Sequence, residues 1–218
     1  RSPAPTETVP TKPETPGAGS AVPAETAPIE TVPETGVAGL DADDGFCAAW
    51  ARFGGTWQVL IVGSQFLDDP DQVARWEVAA APVVDGAYED LIDDFPAQAA
   101  AESDLAVDGY FGALARRSAV AGDALRDAGA TDDQLARLAD AWLAALRTRS
   151  SDSPAVELEL EADLAPLVAE AAVAFREQRV PIHTDPSMIV TVQTPATDAF
   201  IADSCPDQGT LSGVEVDP

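Results

Sequence analysis

At 218 residues, with 38 acidic side chains against 12 basic ones and a formal net charge of −26, the chain has the length of one ordinary domain and a tail. That charge repels nucleic-acid phosphates and anionic lipid headgroups, so DNA, RNA and direct membrane insertion are not expected. No apolar run approaches the roughly 18 residues of a membrane-spanning helix, and the complete absence of Asn removes every N-glycosylation sequon.

None of the thirteen aromatic residues precedes Phe46, whereas the first 40 residues hold eight of the 18 prolines in a Thr, Glu and Ala background. Such a stretch buries too little apolar surface to offset the entropy of ordering it. Residues 1 to 40 therefore read as a disordered linker that supplies reach, residues 41 to 205 as an acidic helical-bundle domain, and residues 206 to 218 as a flexible tail. From residue 41 onward there are 33 acidic against 10 basic residues, so the acidity belongs to the folded part.

Asp41, Asp43 and Asp44 precede a stripe of Phe46, Trp50, Phe53, Trp57 and Leu60, which recurs with helical spacing and predicts a first helix from near Asp43. Gly54 and Gly55 inside it imply a kink or the close approach of a neighbouring helix. The run Asp68-Asp69-Pro70-Asp71 then stops it and starts a second helix, whose stripe is Val73, Trp76, Ala80, Val84, Ala87, Leu91 and Phe95, with a kink expected at Pro82 and an end before Pro96. Phe111, Leu114, Ser118, Ala121 and Leu125 mark a third helix, which Gly129 is placed to end. Thr131 and Gln134 form a capping-box pattern ahead of Leu135, Leu138, Trp142, Ala145 and Leu146.

Ser153 and Pro154 would open a fifth helix carrying Val156, Leu160, Leu164, Leu167, Ala171 and Phe175. The run Val156 to Glu161 also alternates with period two, as a half-buried strand would, and Met188 to Val192 could pair with it. The helical spacing persists to Phe175, too far for a strand, and favours the helix. A short helix from Pro195 to Ser204 closes the domain. The fold class is thus mainly α: an antiparallel bundle of about five helices plus a short C-terminal helix, with a minor two-stranded β element as the variant.

Cys47 and Cys205 are the only cysteines and bracket the domain. Beside an exported-style linker they are expected to pair as a disulfide, the other reading being two reduced, buried thiols. His183 is the only histidine, which excludes His-rich zinc chemistry and the HExxH proteases. A hydrolase using His183 with Ser64 or Ser187 has no nucleophile elbow behind it. Phosphate-binding Gly-rich loops are absent, and the EF-hand pattern fails at Asp41 to Gly45 because Arg52 stands where the bidentate Glu belongs.

Acids at Asp41 to Asp44, Asp68 to Asp71, Glu102 with Asp104, Asp132, Asp133 and Asp152 fall near predicted helix starts, and Arg126, Arg147, Arg149, Arg176 and Arg179 near helix ends, as the helix dipole favours. Glu89, Asp90, Asp93 and Asp94 break this pattern at the C-terminal end of the second helix, and they mark a weak site for Ca²⁺ or a basic partner. An arginine such as Arg116 arriving from another helix would neutralise the cluster instead. The functional expectation is an exported or envelope-tethered, non-enzymatic domain that binds a protein or small ligand. Its alternatives are a carrier with an apolar cavity among Trp50, Trp57, Trp76 and Phe111, and the hydrolase around His183.

Overall fold

A computed structural model describes residues 36–62, 67, 69–107, 111–149, 155–178, 193–205 and 208. It is mainly helical, with seven α-helices and no strand among the described residues.

Helix α1 (Gly45–Trp57) starts where the Asp44 carboxylate accepts the Cys47 backbone N–H at 3.0 Å. At its end the coil widens into a π-helical turn, Gln58–Val62. That wider turn shifts the residues after Trp57 out of the 3.6-residue phase. Thr56, Val59 and Leu60 are buried, while Trp57, expected in the core, is 42% exposed. Gly55 does admit a close neighbour, but it is Val37 from the preceding chain and not another helix: a Cβ on Gly55 would lie 2.9 Å from the Val37 methyls.

Helix α2 (Pro70–Asp93) is the centre of the packing, touching α1, α4, α5 and α6. Asp69 caps it by accepting from the Asp71 and Gln72 backbone N–H groups, and Pro70 occupies the first helical position. The helix continues through Pro82, and from Trp76 to Ala81 every residue is buried. A helix surrounded by others buries all of its faces, not one stripe.

A 3₁₀ turn (Ala97–Glu102) and a one-turn α3 (Ser103–Ala106) lead towards α4 (Gly112–Asp127). Gly129, at φ +93°, ends α4 as expected: its N–H bonds the Arg126 carbonyl and the Ala130 N–H bonds the Leu125 carbonyl, both at 2.9 Å. The capping box at Thr131 and Gln134 is formed in both directions and opens α5 (Asp132–Thr148).

The expected fifth helix begins later. Residues 155 to 160 form neither helix nor strand, and α6 spans Leu164–Glu177. Pro166 supplies the reason. In a helix begun at Ser153 it would fall in the interior and break a hydrogen bond, whereas here it lies in the first turn, where its missing N–H costs nothing. The period-two alternation is nonetheless real, with Val156 buried, Leu158 and Leu160 half-buried, and Glu157 and Glu159 exposed. The segment has no strand partner among the described residues, so the two-stranded element is not seen. Met188 to Val192, its suggested partner, lies outside the described residues. Arg137 on α5 binds Asp133, Glu161 and Asp163 and ties down the turn before α6.

Helix α7 (Pro195–Ser204) ends at Cys205, which forms the expected disulfide with Cys47, Cα to Cα 5.2 Å. Residues 36 to 42, most of them assigned to the linker by composition, are packed chain. The Gly36 and Val37 N–H groups donate to the Arg149 and Leu146 carbonyls at 2.6 and 3.1 Å, Leu40 is 3% exposed, and Asp41 accepts from Arg147 at 2.7 and 3.2 Å. This strap satisfies carbonyls at the C-terminal end of α5 that lack a glycine cap.

Candidate functional site

Two polar features stand out from the apolar interior. The first is a seam between α2 and α4. Arg117 donates through Nη2 to both carboxylate oxygens of Glu77 at 2.7 Å, with the side chains only 7% and 8% exposed, and its guanidinium lies 5.2 Å from the centre of the Phe175 ring. The spacing of α2 puts the Ala81 carbonyl and Asp85 one and two turns beyond Glu77 on the same face. The Ser118 hydroxyl donates to that carbonyl at 3.2 Å. Burial pushes the Asp85 carboxyl above its ordinary value, against the Ser118 hydrogen bond and the Arg126 charge. Gly122 makes room for it, since a Cβ there would stand 3.1 Å from Asp85 Oδ2.

Leu60, Glu77, Leu114, Arg117 and Ser118 line a cavity of about 10 Å³, at the lower limit for one water. A larger open groove of about 430 Å³ runs along Gly36, Val37, Gly39, Leu40, Asp41, Ala42 and Arg147.

The second feature is the acidic end of α2. Glu89, Asp90, Asp93 and Asp94 are all exposed, and Ile92 among them is 47% exposed. Two of the acids have local structural roles. Asp90 lies 3.6 Å from Arg52 of α1, so the arginine that reaches the cluster is Arg52 and not Arg116. The Asp94 carboxylate packs against Gly45 at the start of α1, where the positive end of that helix's dipole compensates it. A side chain on Gly45 would displace it. Among the described residues no group of three or more acids, histidines or cysteines converges to hold a metal.

The aromatic residues pack on one another. Phe46 meets Trp50, Phe95 and Phe200 at ring separations of 6.1, 5.4 and 5.6 Å, and Phe111 meets Trp50 and Phe53 edge-on at 5.3 and 4.8 Å. Of the four rings named for an apolar cavity, Trp50 packs edge-on against Phe111, Trp76 is buried and Trp57 is 42% exposed. Trp142 is fully buried, and its Nε1–H donates to the Thr56 hydroxyl at 2.9 Å. His183, Ser64 and Ser187 lie outside the described residues.

The Glu77–Arg117 pair was not legible in the sequence. Its one signal is a charged residue in the apolar run around Trp76, with nothing local to identify a partner 40 positions away. No helix among the described residues is long and apolar enough to cross a membrane. No known protein family, curated protein or solved structure matches the chain.

Proposed function

We propose that the chain is an exported or envelope-tethered, non-enzymatic binding domain, and that the acidic end of α2 is the surface that engages a basic partner or a weakly held Ca²⁺. The observation that carries this reading is Ile92, a large apolar side chain 47% exposed beside the exposed carboxylates of Glu89 and Asp93. An apolar centre with a charged rim is the usual anatomy of a protein-binding patch. Asp90 and Asp94 are engaged by Arg52 and the α1 terminus, so Glu89 and Asp93 supply the charge offered outward. The Cys47–Cys205 disulfide supports export, because such bonds persist in oxidising compartments.

Native mass spectrometry of protein isolated from its producing host tests the reading, with Ile92→Ser plus Glu89→Gln as the comparison. A partner or ion retained by the natural chain and lost from the variant is the expected result. Equal retention by both, or a bare chain in both, refutes it. Calorimetry in Ca²⁺ and Na⁺ at matched ionic strength separates the two ligand classes: a rise in stability specific to Ca²⁺ assigns the ion, and equal melting temperatures leave the protein partner.

A further inference from the structure

Helix α7 is fastened at three points, only one of them covalent. At its start the Glu102 carboxylate accepts the Ala196 N–H at 3.0 Å and the Thr197 N–H and hydroxyl at 2.9 Å each, serving as a cap that Thr194 does not itself provide. In the middle, Ile201 is fully buried and Phe200 meets Phe46 edge-on at 5.6 Å. At its end Cys205 is bonded to Cys47, and Gln208 just beyond donates to the Cys47 carbonyl at 3.0 Å.

The rest of this attachment is slight. Ten residues are fewer than the roughly 12 to 15 that an isolated helix needs in water, and Thr197 and Ile201 are the only buried residues of α7. The helices gathered round α2 are α1, α4, α5 and α6, whereas α7 docks on the 3₁₀ turn Ala97–Glu102.

We propose that α7 is a redox-operated latch. The Cys47–Cys205 bond holds a marginal helix over the Phe46 ring, and its reduction releases α7 while the remaining bundle stays folded. A dithiol reductant opens the bond by exchange: one thiolate attacks a cysteine sulfur, and the second displaces the mixed disulfide. The reductant leaves as its own cyclic disulfide, two electrons pass to the protein, and each cysteine takes up a proton. Cys47 and Cys205 are 0% and 2% exposed, so attack waits for the end of α7 to lift. The rate of reduction therefore reads how often the latch opens.

Hydrogen exchange on the full chain, oxidised and after dithiothreitol, tests the proposal. Amides of residues 97–102 and 195–205 should lose protection by at least about tenfold, while those of α2, α4 and α5 stay within about twofold, the pattern of sub-global opening. The double variant Cys47→Ala, Cys205→Ala should reproduce that pattern without reductant. With both cysteines intact, Glu102→Ala should speed reduction by dithiothreitol roughly fivefold, the usual effect of losing a cap acceptor. Loss of protection in every helix together, an unchanged α7 after reduction, or an unchanged reduction rate in Glu102→Ala overturns it.

Discussion

Replacing Arg117 by Leu tests whether the seam between α2 and α4 is held by its charge pair or by the apolar packing around it. Both side chains are more than nine-tenths buried, and a single nitrogen donates to both oxygens of Glu77 at 2.7 Å. Removing one partner strands a buried charge, which costs about 3–5 kcal/mol, and the contact with Phe175 is lost with it. Against a total stability of about 5–15 kcal/mol this is a large fraction, equivalent to a fall in melting temperature on the order of 10 °C for a domain of this size. Glu77→Leu should cost a similar amount for the same reason. The double variant Glu77→Leu, Arg117→Leu should be markedly more stable than either single one, because no unpaired charge remains and similar volume is refilled. Urea unfolding followed by tryptophan fluorescence and circular dichroism gives all four stabilities. Single variants costing under about 1 kcal/mol, or a double variant equal to their sum, would refute the reasoning.

Thr56→Val leaves the buried Trp142 N–H without its acceptor and should destabilise by about 1–3 kcal/mol in the same assay; a neutral outcome would mean that the bond contributes nothing. Deleting residues 1–34 should move the melting temperature by less than about 2 °C, whereas deletion through residue 42 removes the strap and should lower it by more than about 5 °C. Gly36→Ala isolates one part of that effect, since Gly36 has φ +90° and a Cβ there would stand 2.6 Å from the Arg147 carbonyl oxygen; a loss of about 1–3 kcal/mol is expected. Acid titration should show two opposite signs. Partial burial pushes the Glu102 carboxyl up, but its hydrogen bonds from Ala196 and Thr197 outweigh this and hold it below the ordinary 4.5, so its contribution is present above that pH and lost as pH falls through the folded value. Glu102→Gln should flatten this acid limb. Burial raises Asp85, so its contribution grows as pH falls from the folded value towards the ordinary 3.8, and Asp85→Asn should remove that gain. Melting temperatures measured from about pH 7 to pH 3 check both variants.

Features decided within a few residues were readable from the sequence alone. The acidic runs at 41–44 and 68–71 and the Thr131 pattern marked helix starts, where Asp44, Asp69 and Thr131 form the caps, and Gly129 ends a helix, because their side chains or φ angles satisfy backbone groups two to four positions away. The disulfide was readable for a different reason: with two cysteines there is only one pairing to make. Features that depend on what lies across the core were not readable. Periodicity assigns one buried face per helix, so it could not show that α2 is buried on every face from Trp76 to Ala81 and holds Glu77 against an arginine from α4. It also assumes a constant 3.6-residue turn, whereas the chain beyond Trp57 forms a π-helical turn, and Trp57 itself is 42% exposed. Composition marked residues 36 to 40 as linker because they contain little to bury. Their backbone N–H groups nevertheless cap α5, and Gly55 leaves space for Val37, a complementarity between segments far apart in the chain that only the tertiary fold brings together.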